Sequence, residues 1–168
     1  MALFQMKNAY PLLKHPEKYI AENKVVTARS GWEISFIFDF LDKHSSVLSW
    51  TSEDIIIPYC CPVRNNSVHR YFPDFMMEVK EATGTIKDYL VEIKPFIETN
   101  PPTKPKRMNK SYIDRVNTYI KNCAKWDAAR TYCNNLRKQG KNIEFVIMTE
   151  KGIYYEDGRF ERICFFKT

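Results

Sequence analysis

Two acids and a lysine flank one turn, and their spacing constrains the chain more than any other feature. Tyr71-Phe72-Pro73-Asp74-Phe75 and Val91-Glu92-Ile93-Lys94-Pro95 read as segments of two paired strands. Between them, Glu81-Ala82-Thr83-Gly84 is a turn signal, with a glycine able to take a positive φ. Asp74 lies nine positions before Thr83 and Glu92 nine after it. A hairpin symmetric about Thr83 sets the two acids directly opposite each other on one face, with Cβ atoms about 4.5–5.5 Å apart. Strand alternation returns Lys94 to that face. Carboxylates this close repel each other unless positive charge lies nearby. A hard divalent cation between oxygens answers that need and suits phosphodiester hydrolysis. The plain alternative is a solvated strand face on which Lys94 neutralises the pair.

The length of 168 residues points to one domain. Residues 1–29 read as an irregular N-terminal arm, with Pro11 and Pro16 breaking any period, and residues 30–168 as the folded domain. Trp32, Phe36, Ile37, Phe40 and Leu41 predict a helix from Ser30 to Lys43, with Ser30 and Glu33 forming a capping-box pattern. Val47–Trp50 and Asp54–Tyr59 read as two short strands or one bent strand, and Ile55-Ile56-Ile57 suits a strand buried on both faces. Val68–Val79 and Thr85–Lys94 are the arms of the hairpin. Pro95, Pro101, Pro102 and Pro105 then break the strand pattern, and Lys104, Lys106, Arg107 and Lys110 make the segment 96–110 an exposed basic loop.

A long helix follows over Ser111–Lys138, with Tyr112, Val116, Tyr119, Cys123, Trp126, Cys133 and Leu136 on one stripe and Gly140 as its stop. Phe145–Met148 is a buried strand, and Ile153–Phe166 forms a terminal hairpin through Asp157-Gly158. The order predicts an α/β domain with a central mixed sheet flanked by helices. The Glu92 strand, the long helix and the Phe145 strand make a parallel crossover unit.

Charge and cysteine usage bound the function. A formal net charge of +6 and a pI of about 9.0 favour a polyanionic partner. Five cysteines, Cys60, Cys61, Cys123, Cys133 and Cys164, lack zinc-knuckle spacing and read as buried thiols in a reducing compartment. His15, His44 and His69 show no metal-ligand spacing either. No apolar run serves as a signal peptide or reaches the ~18 residues of a membrane span, so no membrane partner is expected. A G-x-x-x-x-G-K phosphate loop is missing, which excludes a P-loop ATPase.

The spaced motif Pro73-Asp74 … Glu92-Ile93-Lys94 resembles the signature of the PD-(D/E)XK nuclease superfamily. The series Pro16-Glu17-Lys18-Tyr19, Arg29-Ser30-Gly31-Trp32-Glu33, Trp50-Thr51-Ser52-Glu53, Ile57-Pro58-Tyr59, Arg70 to Phe75 and Glu92 to Pro95 resembles the head-completion nucleases of large contractile-tailed phages, and more loosely the TnsA transposon-end nuclease domain. Beyond Pro95 the likeness rests on Lys125-Trp126-Asp127-Ala128-Ala129 and Val146-Ile147-Met148-Thr149-Glu150. Gly31 departs from the pattern, in which a serine is expected.

The resemblance implies a restriction-endonuclease-like core and a nuclease acting on double-stranded DNA. It implies magnesium, with manganese able to substitute, on Asp74, Glu92 and the Ile93 backbone carbonyl, with Lys94 assisting. It adds Glu33 from the first helix as a catalytic acid and candidate ligand, against its local role as a helix cap. It implies a role in the virion or host cytoplasm after packaging, when heads are prepared for tail attachment, with head or neck proteins as partners. Lys104, Lys106, Arg107, Lys110 and Lys125 are candidate DNA contacts. Glu53 and Arg29 are weaker candidates, equally readable as surface charges. A homodimer is left open. The rival readings are a transposon-end endonuclease and a non-catalytic protein binding DNA ends or joining heads to tails.

Overall fold

The computed structural model describes residues 8–162. A six-stranded sheet runs in the order β1-β4-β5-β6-β7-β8, built from β1 (Val47–Ser52), β4 (Phe75–Lys80), β5 (Ile86–Ile93), β6 (Ile143–Thr149), β7 (Gly152–Tyr155) and β8 (Phe160–Glu161). The strands β2 (Ile57–Cys61) and β3 (Ser67–Tyr71) form a separate two-stranded sheet among the described residues. Helices α1 (Gly31–Ser35) and α2 (Lys110–Lys138) complete the framework. This is the expected α/β fold with a mixed sheet. β5 and β6 are parallel and joined by α2, while the other pairings are antiparallel.

The register of β4 on β5 follows the turn. Gly84 takes φ +86 and closes the turn by donating to the Glu81 carbonyl at 2.8 Å. Lys80 then faces Ile86 and Phe75 faces Val91, the register centred on Thr83 that the spacing predicts. Alternation along β5 sorts two cores. Val91 and Ile93 face the layer built from α1 and the N-terminal segment, with Phe36, Ile37 and Phe75. Leu90 faces the layer built from α2 and the β2–β3 hairpin, with Tyr71, Trp126 and Phe145.

Several expectations shift. The helix from Ser30 is α-helical only to Ser35 and widens to π geometry over Phe36–Leu41, where Asp42 N–H donates to the Ile37 carbonyl at 2.8 Å. The strand placed at Val68–Val79 is two strands, because Pro73 carries no N–H for a ladder and turns the chain out of the small hairpin into the main sheet. The isoleucine run is not buried on both faces: Ile56 is 51% exposed, because β2 lies in the small hairpin, where Ile57 points into the core and Ile55 packs partly against it. Cys60, on the outer face of β2, is exposed rather than buried. Cys164 and the end of the terminal hairpin lie outside the described residues. Helix α2 begins at Lys110, with the Asn109 side chain accepting from Tyr112 N–H at 2.8 Å, and ends in the predicted glycine cap, where Lys141 N–H reaches Leu136 O at 3.1 Å.

The segment before Ser30 holds two short 3-10 turns, Tyr10–Leu12 and Pro16–Lys18, and adds Ala9, Tyr19, Val26 and Ala28 to the core. Buried Asp42 anchors it: its carboxylate accepts from Lys14 N–H at 2.9 Å and from His15 N–H at 2.8 Å. Asp42→Ala leaves both donors without that partner and is expected to destabilise the fold by about 2–3 kcal/mol. Asp42→Asn, keeping one acceptor, loses less. Urea unfolding with an unchanged m-value reads the difference; wild-type midpoints for Asp42→Ala overturn the anchoring role.

Candidate active site

The acid pair lies where β4 begins and β5 ends, on the sheet face that meets α2. Phe75 faces Val91, so Asp74, one residue earlier, meets the Glu92–Ile93 peptide across the strands. Its Oδ2 accepts from Ile93 N–H at 2.7 Å, and its backbone carbonyl accepts from Glu53 N–H at 3.1 Å. Glu53 takes a left-handed backbone, φ +49, to make that contact, an uncommon conformation for a residue with a side chain. Glu92 is 2% exposed. Its Oε1 lies 2.9 Å from Lys94 Nζ, and its Oε2 accepts from the Tyr71 hydroxyl at 2.7 Å.

The structure therefore brings Asp74, Glu92 and Lys94 together as the spacing requires. Lys125 joins them from α2. Its Nζ lies 5.2 Å from the centroid of the Tyr71 ring. Burial lowers its pKa, opposed by attraction to Glu92. Tyr71 thus supports Glu92 through its hydroxyl and Lys125 through its ring. Sequence reasoning assigns Tyr71 no role. The only signal is its place before Phe72-Pro73-Asp74, where the proline turn carries the preceding strand across the acid pair.

Glu33 occupies the cap. Its Oε2 accepts from Arg29 N–H at 2.7 Å and its Oε1 from the Ser30 hydroxyl at 2.8 Å, while Ser30 Oγ accepts from Glu33 N–H at 3.2 Å. The cap is a shifted form of the predicted capping box, with the Glu33 carboxylate reaching Arg29 N–H, one residue before the N-cap, rather than Ser30 N–H. Glu33 is nevertheless near enough to Asp74 for its charge to act there. Arg29 forms a two-pronged ion pair with Glu53, at 2.6 and 2.9 Å, beside this cap. Lys104, Lys106 and Arg107 lie exposed on the segment before α2 and Lys110 on its first turn; none enters an ion pair among the described residues. The structure does not gather these four onto the acid pair.

The electrostatics expose the tension of the site. Burial and then the Glu92 charge push the Asp74 carboxyl well above its usual range, with Lys94 opposing. Burial would lower the Lys94 ammonium, but Glu92 and Asp74 outweigh it and raise the group instead. Lys94 therefore remains charged at neutral pH. Glu92 and Glu33 both disfavour the Asp74 charge and Lys94 offsets this only in part, so a bound cation would relieve the cluster. Among the described residues no three acid, histidine or cysteine side chains form a ready-made cage. Two adjacent carboxylates, Asp74 and Glu92, fit magnesium, which keeps several waters and binds through one or two carboxylates plus substrate phosphate.

The model for the family described as "TnsA-like endonuclease N terminal" matches residues 44–150. The chain belongs to this TnsA-like nuclease family. The matched segment holds Asp74, Glu92, Lys94 and Lys125 and leaves out Glu33. The chain is also 35% identical over 144 residues to the "Head completion nuclease" of Enterobacteria phage T4, covering 83% of this chain and 89% of that protein. No solved structure matches. The restriction-endonuclease-like fold read from the motif series agrees with the mixed sheet and with this family.

Asp74→Asn keeps an acceptor for Ile93 N–H and removes the charge that burial disfavours. In chelator, the variant is expected to melt ~2–4 °C above the wild type at neutral pH, the shift that about 1 kcal/mol produces at this size. The folded wild type binds more protons than the unfolded chain between the ordinary and the raised Asp74 values, so its stability falls as pH rises through that window. The advantage of the variant should shrink towards pH 4 and grow towards neutrality. A pH-independent difference overturns this account.

Proposed function

We propose that this protein is a magnesium-dependent DNA nuclease that trims or cuts DNA during phage head completion, after packaging and before head–tail joining. The observation that carries the reading is the opposed Asp74 and Glu92 carboxylates with Lys94 Nζ 2.9 Å from Glu92. The family match and the 35% identity support it, the latter favouring head completion over transposon-end cutting.

Asp74, Glu92 and the Ile93 carbonyl would hold the ion, with manganese able to substitute. When bound, it supplies Lewis acidity and an activated water. The protein supplies the rest. Ile93 N–H fixes one Asp74 oxygen, and the Tyr71 hydroxyl fixes one Glu92 oxygen, so each acid presents a defined edge. Lys94 keeps its proton on Nζ and stabilises negative charge developing on the phosphoryl oxygens, leaving a 5′-phosphate. Glu33 contributes charge from its capping position. Lys125, Lys104, Lys106, Arg107 and Lys110 supply phosphate contacts that position duplex DNA. The virion and the host cytoplasm are the expected locations, with head or neck proteins as further partners.

Linear duplex DNA incubated with magnesium should be degraded by the wild type and left intact by Asp74→Ala or by added chelator. Lys94→Ala should lose roughly 10²–10³-fold in rate. Equal activity in wild type and Asp74→Ala, or none in the wild type with magnesium or manganese, sinks the proposal.

The basic segment makes a separate prediction. Changing Lys104, Lys106, Arg107 and Lys110 together to Gln should flatten the dependence of log affinity on log salt, by about 0.9 for each phosphate that these side chains neutralise in the wild type. A wild-type slope removes this segment from the DNA surface.

A further inference from the structure

Beside the acid site, the chain that follows Lys94 and the N-terminal half of α2 enclose a groove of ≈ 700 Å³ lined by Phe96, Arg115, Tyr119, Asn122 and Lys151 among others. Its size falls within the ~300–1,000 Å³ of pockets that take small organic ligands, and a base-paired duplex, whose major groove alone is ~12 Å across, is far too large for it. The groove adjoins the site, since Glu98 on its wall is near enough for its charge to act on Lys94. Phe96 stands two residues beyond Lys94, and Asn122 stands one helical turn before Lys125.

Asn122 is the informative residue. It is 4% exposed, yet no hydrogen bond engages its side chain among the described residues, and it lines the groove. Among the described residues only Trp50 Nε1 and Trp126 Nε1 are both unpaired and shut off from solvent, so the Asn122 carboxamide opens onto the groove it lines and offers its donor and acceptor there. Its NH₂ and carbonyl together match the donor–acceptor edge of a nucleobase. Apolar walls come from Phe96 and Tyr119. Lys151 Nζ lies 3.8 Å from the Phe96 ring centroid, and Arg115 is exposed at the rim, so positive charge flanks the space. Of the acids lining the groove, Glu150 already accepts from Phe96 N–H at 2.8 Å, and the exposed Glu98 acts on Lys94.

We propose that this groove binds an unpaired nucleotide of the DNA strand passing through the acid site, with Asn122 on the base edge and Arg115 and Lys151 on the backbone. The substrate favoured is then DNA with a frayed, tailed or branched end rather than uninterrupted duplex. This rests on the nuclease reading and specifies its substrate.

The test is binding in chelator, where no cleavage occurs. Fluorescence anisotropy compares a short blunt duplex with the same duplex carrying a short single-stranded tail. The tailed DNA should bind at least about fivefold more tightly, the contribution of one stacked base. Asn122→Leu, similar in size and without the amide, should bring the tailed DNA down to blunt-duplex affinity while leaving blunt-duplex binding unchanged. Arg115→Gln, on an exposed residue that cannot threaten the fold, should reduce the same preference, and it decides the matter if Asn122→Leu fails to fold. Equal affinity of the wild type for the two DNAs overturns the proposal, as does a full preference in Arg115→Gln and in folded Asn122→Leu. Cleavage of linear duplex with magnesium, run in parallel, separates the two claims. Cleavage without tail preference overturns the groove alone, whereas absence of both cleavage and DNA binding overturns the nuclease reading beneath it.

Discussion

The acid site depends on one backbone constraint, the pairing register of β4 and β5. That register sets Asp74 against the Glu92–Ile93 peptide and lets Ile93 N–H hold the Asp74 carboxylate at 2.7 Å. A slip of one residue would send Glu92 and Lys94 to the face occupied by Phe36 and Ile37, and Val91 and Ile93 to the face that meets α2. Both cores and the site fix the same register. The apolar residues of β5 therefore secure the polar ones: Val91 and Ile93 are nearly solvent-free on one side, while Leu90 is buried beside Trp126 and Phe145 on the other.

This register is legible in the sequence because a turn glycine and a period-2 strand leave little freedom. Nine residues either side of Thr83 suffice to pair the acids. The parallel crossover through α2 is readable for a similar reason: a long helical stripe between two apolar strands has few places to go. The small β2–β3 hairpin is not readable in the same way. Its residues carry ordinary strand composition, and only the turn at Pro73 separates β3 from β4. Periodicity reports that a strand exists, not which sheet receives it.

The site residues divide along the same line. Asp74, Glu92 and Lys94 are close in register, and spacing alone finds them. Tyr71 belongs to β3 in the small hairpin, and its place before Phe72-Pro73-Asp74 is its one mark in the sequence; Asn122, proposed as a base contact, arrives on α2 with no local pattern to mark it. Glu33 shows how a local signal and a distant one coexist. Its backbone neighbours make it a cap, and the packing of α1 against the sheet brings its charge near Asp74. The two oxygens answer to Arg29 and Ser30, while the field of the carboxylate acts on the cluster. Separate physical quantities of one side chain are used at once, hydrogen-bonding geometry in one direction and Coulomb interaction in another.

The pairing of Lys94 with Glu92 has a consequence for assembly. Zinc fingers and other small zinc-dependent domains wait for a metal before they fold, because without it no preformed site exists. Here an ammonium from the residue just past β5 stands 2.9 Å from Glu92, which is 2% exposed, and a tyrosine hydroxyl holds the other oxygen of that acid. The protein brings its own counterion. On the magnesium-dependent reading proposed above, folding and arming are separable events, and the native shape does not wait for the ion.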